Sequence, residues 1–370
     1  MIDNILFINT GTGWGGLEKW HYQTALELKK RDYKIFILAK ENTTFYDRCK
    51  RTNFKIEKMK HIADATFINP IRVHWLVKYL KRNNIDAVFL AQSSHFKYGS
   101  LSAKLAGVEK IIYRRALAKP VKNKFYNRFL LKYCISDFMS ISKMTRDENL
   151  KNLPADCLPN EKIKLIYKGV KKDKFIAPEI KSDIRREFGI RDDELIIANI
   201  GRLCRQKAQQ YLIEALPQVL EVHEKIKVLI IGGKGGKEEL YKSKVKKLGV
   251  EDKVIFTGFR EDIPSILKQI DFMVHTAIYE GGSPWVILEA MMAGVPIVTT
   301  KAITIPEFVI DGETGYLAED KNPADIAKKI IKMINNQERE KMGERAFEIA
   351  QDNFSLKKMI DDIEDKILKR

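Results

Sequence analysis

Between Tyr279 and Pro296 the chain reads Tyr-Glu-Gly-Gly-Ser-Pro-Trp-Val-Ile-Leu-Glu-Ala-Met-Met-Ala-Gly-Val-Pro. These residue types, at this spacing, suit a ligand that carries both phosphates and hydroxyls. Ser283 can cap a helix whose first position is Pro284, where the missing N–H costs nothing. Gly294, followed by Val295-Pro296, supplies the stop. Gly281 and Gly282 let the backbone pass close to a ligand just ahead of that helix. A helix start of this kind offers unpaired N–H groups and the positive end of a dipole to a phosphate. Glu280, before the helix, and Glu289, inside it, would repel a phosphate, but they accept hydrogen bonds from sugar hydroxyls. A nucleotide-sugar needs both kinds of contact.

Other stretches carry chemistry of the same kind. Gly201-Arg202-Leu203 follows the apolar run Leu195–Ile200, and Lys207 comes five residues after Arg202. Two fixed cations facing a diphosphate would each gain ~4 kcal/mol in an effective dielectric near 20, before desolvation. Gly11, Gly13 and Gly16 fit G-x-G-x-x-G between a strand and a helix, the fingerprint of a nicotinamide or flavin site. That reading wants an acid after the second strand, and Glu41 stands near that point. Arg114-Arg115 follow an apolar run at what should be the carboxyl end of a strand, so Arg115 could hold an acceptor phosphate or carboxylate. His95 has a similar place and reads either as a second acceptor contact or as a solvated or packed histidine. Gly232-Gly233-Lys234-Gly235-Gly236-Lys237 fails as a P-loop, because its spacing is wrong and Glu238 follows.

The elements that must position these residues are legible as an alternation. Strands are expected at 5–8, 34–39, 55–58, 87–91, 110–113, 138–141 and 163–167, and again from 195, 227, 254, 272 and 297. Helices are expected over 17–30, 71–82, 98–105, 123–133, 144–151, 208–223 and 355–368, among others. Repeated strand–helix units of this length predict parallel, doubly wound sheets. The 370 residues suffice for two domains, with boundaries at 1–168 and 169–352 and a final helix in 353–370.

Net charge is +17, and its distribution is informative. Residues 1–170 carry 32 Lys and Arg against 15 Asp and Glu, whereas residues 171–370 carry 34 of each. The excess in the first half predicts an anionic partner there. Over 119–133, Phe125, Phe129 and Tyr133 form one helical row beside Lys124, Arg128 and Lys132. Such a helix could lie reversibly on an anionic membrane, or its aromatics could be core. No apolar run is long enough to span a bilayer, and the first residues lack the pattern of a signal peptide. Cys49, Cys134, Cys157 and Cys204 show no metal spacing and read as buried thiols of a reducing compartment. The expectation is a cytoplasmic protein, peripheral on the inner face of the membrane at most. No base-stacking surface or reader motif suggests a nucleic-acid partner.

From Glu280 to Pro296 the chain resembles the paired-glutamate signature of family 4 of the retaining glycosyltransferases, with eight residues between the glutamates where the family usually has seven. The resemblance implies a GT-B fold: two Rossmann-like, doubly wound parallel-sheet domains facing across a cleft. It further implies a metal-independent transfer from a nucleotide-diphosphate sugar, UDP being the expected base, with no cofactor. The acceptor would be a glycan or lipid-linked species of the cell envelope, such as lipopolysaccharide core. By the same resemblance Arg202 and Lys207 stabilise the leaving diphosphate, Glu280 contacts the donor sugar and Glu289 the ribose. Gly15-Gly16-Leu17-Glu18 is similar to the family's Gly-Gly loop near the phosphates, and Gly258-Phe259-Arg260 to its nucleobase contact. Tyr167-Lys168-Gly169-Val170 resembles its crossover, with Lys168 in place of Asn. Many members carry a histidine where Arg114-Arg115 stand, so no catalytic histidine is implied. A GT-B epimerase or phosphorylase, and a nicotinamide- or flavin-dependent oxidoreductase, are the alternatives.

Overall fold

The computed structural model describes residues 2–233 and 235–369, so Lys234 of the glycine-rich turn lies outside the described residues. The chain divides into two compact units, residues 1–167 with 359–370, and residues 168–358. The first unit holds β1 (Asn4–Asn9), β2 (Lys34–Ala39), β3 (Lys55–Lys58), β4 (Ala87–Leu90), β5 (Lys110–Arg115), β6 (Asp137–Ser140) and β7 (Ile163–Leu165). They form one sheet in the order β3-β2-β1-β4-β5-β6-β7. The second unit holds β8 (Leu195–Ile200), β9 (Ile226–Ile231), β10 (Val254–Gly258), β11 (Phe272–His275), β12 (Ile297–Thr300) and β13 (Gly315–Ala318). Its sheet runs β10-β9-β8-β11-β12-β13. Every strand pair in both sheets is parallel.

The strands are parallel because they are apolar on both faces. Phe7 and Ile8, Val88 and Phe89, and Val228 and Leu229 are sealed on opposite sides of their sheets, as helices covering both faces require. Each sheet reverses its order beside one strand, at β1 in the first unit and β8 in the second. Connections there leave in opposite directions and open a crevice at the carboxyl ends.

Four helices depart from expectation. The one after β11 runs Trp285–Met292, with Pro284 in extended conformation at its N-cap, so Ser283 lies one residue outside the capping position. The cause is tertiary: the Thr304 hydroxyl donates to the Gly282 carbonyl at 2.6 Å and holds the entering chain. Gly294, at φ 72, does provide the left-handed stop. The helix after β4 begins at Ser93 rather than Tyr98, because burial of His95 and Phe96 outweighs the weak helix propensity of two serines. The helix expected over 123–133 is a turn of α-helix, Phe125–Phe129, followed by a π turn, Leu130–Cys134. There the Ile135 N–H reaches back to the Leu130 carbonyl. Leu356–Ile363 likewise ends in a π turn, Glu364–Leu368. This last segment belongs to the first unit from Met359 onward: Trp20 Nε1 lies 3.2 Å from Met359 Sδ, and Arg31 pairs with Asp361 at 2.6 Å and with Glu364.

Candidate functional site

In the second unit the crevice beside β8 is bordered by the loop that follows β8 and the loop that follows β11. Lys207 comes from the first of these and Glu280 from the second. The Lys207 ammonium donates to Glu280 Oε1, and the same oxygen lies 3.0 Å from Nε2 of His275, the last residue of β11. Glu280 and His275 are both buried. Burial alone would raise the Glu280 carboxyl, but His275 and Lys207 outweigh it and hold it at about 2. For His275, burial and then the Lys207 charge depress the ring, so the imidazole is neutral. The result is a charged pair in a dry setting, oriented by a neutral histidine. Removing one partner of such a pair costs ~3–5 kcal/mol, because the other is left as a buried, uncompensated charge.

The loop after β8 is fixed around this pair. Gln206 Nε2 donates to the Tyr279 carbonyl at 3.0 Å, and the Ile278 N–H donates to the Gln206 carbonyl at 3.1 Å, so the two loops are laced together. Arg202 is exposed, with Nη2 3.5 Å from Gln206 Oε1. Ala208, next to Lys207, sits at φ 50, a conformation that costs a non-glycine residue about 1–2 kcal/mol. The Thr276 hydroxyl lies 3.2 Å from the carbonyls of both Lys207 and Ala208 and holds the turn. Such strain persists only where surroundings over-determine it, as at functional sites. Two further glycines let the β9 loop approach: a Cβ on Gly232 would lie 2.0 Å from the Gly201 carbonyl oxygen, and one on Gly235 would lie 1.9 Å from that of Leu203.

Residues 180–349, nearly the whole of this unit, match the family described as glycosyl transferases group 1. The second unit carries that family's domain. It is 32% identical over 217 residues to an uncharacterized glycosyltransferase of Methanocaldococcus jannaschii, covering 56% of this chain and 53% of that protein, so the chain spans about half the length of that relative. A second relative, the UDP-Gal:alpha-D-GlcNAc-diphosphoundecaprenol alpha-1,3-galactosyltransferase of Escherichia coli, is 24% identical over 303 residues, 78% of this chain and 77% of that one. Among solved structures, Anabaena HepE in complex with UDP aligns with a TM-score of 0.82 at 21% identity, covering 97% of this chain and 98% of that one. The two parallel-sheet units are those of the GT-B fold.

Within the group 1 unit, Gly281 and Ser283 are buried beside the pair, and Gly282 and Glu289 are half-buried. Lys168, which replaces the family's Asn, is buried with its ammonium 3.5 Å from the centre of the Trp285 ring at the start of the helix. Arg260 corrects the expectation that it meets the donor. Its Nε and Nη2 bind Asp262 at 2.8 and 2.7 Å, Nη2 also reaches Ser182 at 3.0 Å, and Nη1 pairs with Glu187. The guanidinium is a tie between the segment before β8 and the loop after β10. Phe259, beside it, is exposed.

The glycine loop of the first unit is also corrected. Glu18 turns back over it, accepting the Gly15 N–H at 2.9 Å. A Cβ on Gly11 would lie 2.6 Å from Glu18 Oε1. The chain's own carboxylate thus occupies the place where a dinucleotide fingerprint would cradle phosphate, and Glu41 is paired with Lys58 at 2.5 Å. Gly15 therefore binds a carboxylate of the chain itself, and Gly16 is the first residue of the helix. Arg115, expected to meet the acceptor, donates to Asn149 Oδ1 at 3.0 Å, the Tyr113 hydroxyl at 3.2 Å and the Lys119 carbonyl at 2.7 Å, and so holds its own loop. His95 is fully buried, with Nε2 2.8 Å from the Thr10 hydroxyl; the packed reading is the one the structure adopts. Among the described residues no three His, Cys, Asp or Glu side chains gather as a metal-ligand set.

His275 and Thr304 escaped the sequence reading. A histidine at the carboxyl end of a strand, five residues before a candidate glutamate, was a usable signal. Thr304 left none, since its role depends on a loop brought back from beyond β12.

Proposed function

We propose that the chain transfers a sugar, with retention of anomeric configuration, from a UDP-sugar to a glycan or lipid-linked acceptor at an anionic membrane surface. One observation carries the reading: Lys207 and His275 converge on one carboxylate oxygen of Glu280 in the second unit's crevice, beside the glycine-led start of Trp285–Met292. In the reaction the bond between the anomeric carbon and the diphosphate oxygen breaks, and its electron pair goes to the phosphate. The acceptor hydroxyl oxygen forms the new bond on the same face, and its proton passes to a leaving phosphate oxygen. Arg202, Lys207 and the amides of the helix start stabilise the departing charge. Before the donor binds, Glu280 holds Lys207 in place. Once a diphosphate takes the ammonium, the Glu280 carboxylate is free to accept from sugar hydroxyls, with Glu289 toward the ribose. These roles need no metal, because the cations come from side chains.

The HepE complex with UDP supports UDP as the donor's nucleotide, and the Escherichia coli relative's diphosphoundecaprenol substrate supports a lipid-linked acceptor. A thermal-shift screen of UDP-, GDP- and ADP-sugars tests the donor. UDP-sugars at a hundred times their dissociation constant should add ~2.7 kcal/mol of stability, and a flat response to all three would overturn the proposal. Arg202→Ala and Lys207→Ala should each lower turnover about a hundredfold or more; turnover within about threefold of wild type would remove those residues from the mechanism. The anomeric configuration of the product, read by NMR, decides between retention and inversion. Isolation of free epimer or sugar phosphate would favour the epimerase or phosphorylase reading.

A further inference from the structure

In the first unit, Phe7 on β1 pairs with Phe89 on β4, and Phe89 pairs with Ile112 on β5. Two residues further along the same face comes a row of Asn9, Ala91 and Arg114, at the carboxyl edge where this sheet reverses its order. The helix Gly16–Lys29 faces that row. The Arg114 guanidinium carbon lies 4.0 Å from the centre of the Trp20 ring, and His21 Nδ1 is 3.1 Å from Asn9 Nδ2.

Arg114 is 2% exposed, and its Nε and Nη1 have no hydrogen-bond partner. Burial lowers its basicity to about 9, so it remains charged at neutral pH, and no carboxylate among the described residues stands near enough to raise it again. Nε2 of His21 is sealed without a partner as well. Burial first, and then the Arg114 charge, keep that ring neutral. A buried cation is normally paired with an anion or engaged with a ligand. An aromatic face attracts the charge but accepts none of the in-plane N–H groups. Asn9 and neutral His21 add hydrogen-bonding capacity and no negative charge. Ala91, between them, is small and is the partly exposed member of the row.

We propose that Asn9, Ala91 and Arg114 form a subsite for an oxyanion, carboxylate or phosphate, carried by the acceptor sugar. Both anions match the planar fork of a guanidinium. Assignment to the acceptor rests on the glycosyltransferase reading, in which the Lys207–Glu280 pair of the second unit takes the donor. Arg115, one residue on, has its guanidinium tied into its own loop, so Arg114 is the side chain left to meet a ligand.

The test is calorimetric titration of the full chain with glucuronate, glucose 6-phosphate and glucose at fixed ionic strength, with UDP titrated separately. The wild type should bind at least one acid sugar about tenfold tighter than glucose. Which acid is preferred identifies carboxylate or phosphate. Arg114→Gln should abolish the preference, whereas Lys122→Gln, on the exposed surface, should keep it. Equal binding of all three sugars by the wild type, or an undiminished preference in Arg114→Gln, overturns the subsite. If Arg114→Gln does not fold, the wild-type preference decides together with Arg114→Lys, which keeps the charge, loses the fork and should bind several-fold more weakly. A protein that binds UDP but shows no acid preference overturns the subsite alone. One that prefers an acid sugar but does not bind UDP overturns the donor reading alone.

Discussion

At the scale of single residues, the energetics concentrate on one carboxylate. Glu280 is held at about 2, against an ordinary value near 4.5. A carboxyl depressed in the folded state contributes stability that is complete above its unfolded value and is lost as pH falls through the folded one. Glu280 should therefore contribute ~3 kcal/mol above about pH 5, fading to nothing near pH 2. His275, depressed below 6.5, adds a loss of the same sign that begins as pH drops past its unfolded value. The expectation is that the gap in unfolding temperature between wild type and Glu280→Gln narrows steadily from pH 5 to pH 2 in calorimetry. A gap independent of pH over that range would mean that the carboxylate is not held by Lys207 and His275 in solution. Both acid and cation were legible in the sequence, the first from its place before a glycine-led helix and the second from its spacing after Arg202. Their direct pairing was not. The two are 73 residues apart, and only the β8–β11 contact brings them together.

At the scale of elements, the site depends on loops packed backbone to backbone. Gly232 and Gly235 allow the loop after β9 to press against the loop that carries Arg202 and Lys207. Gly232→Ala should cost ~1–3 kcal/mol, the usual range for forcing atoms into filled space. It should also weaken UDP binding more than it lowers the unfolding temperature would suggest, because the displaced segment holds the two cations. Thermal unfolding and nucleotide titration on the same variant check this, and unchanged affinity would place that loop outside the donor site. The glycine run was visible in the sequence, and its spacing argued against a P-loop. The reason for the glycines, carbonyls of another loop within about 2 Å of any added carbon, is a property of the fold. Glu18 gives the same lesson in reverse. Its spacing after Gly15 is that of a capping box, and this local contact fills the loop that resembled a phosphate cradle.

At the scale of the molecule, the charge asymmetry has a surface to act through. Phe125, Phe129 and Tyr133 are 76%, 51% and 56% exposed, so the core reading of that row is excluded. Asn127, Leu130, Leu131 and Cys134 face inward instead. Lys124 and Arg128 flank the exposed row on the same surface. With about 1 kcal/mol per basic residue near an anionic surface, the four exposed residues Lys119, Lys122, Lys124 and Arg128 would give ~4 kcal/mol, a reversible recruitment. No helix among the described residues is long and apolar enough to cross a membrane. The full chain should co-sediment with phosphatidylglycerol-containing vesicles at low salt and be released at high salt. Phe125→Ser with Phe129→Ser should reduce the bound fraction without altering UDP affinity. Absence of binding to anionic vesicles at low salt would remove the membrane from the proposal.

What the sequence determined by itself was periodic or local: the alternation that makes two parallel sheets, the glycine-led helix after Glu280, the arginine–lysine spacing after β8, and the basic first half. Each follows from neighbours along the chain, where side-chain direction is set by the period of a strand or a turn. Only the tertiary structure decided which candidate cations are available to a ligand. Arg260 is tied to Glu187 and Ser182 as well as to nearby Asp262, and Arg115 to Asn149 as well as to Tyr113 and Lys119 of its own loop, whereas Arg114 is buried with unpaired donors. Those outcomes depend on which strand comes to lie beside which, and crossover connections fix that order without leaving a mark at the residue itself.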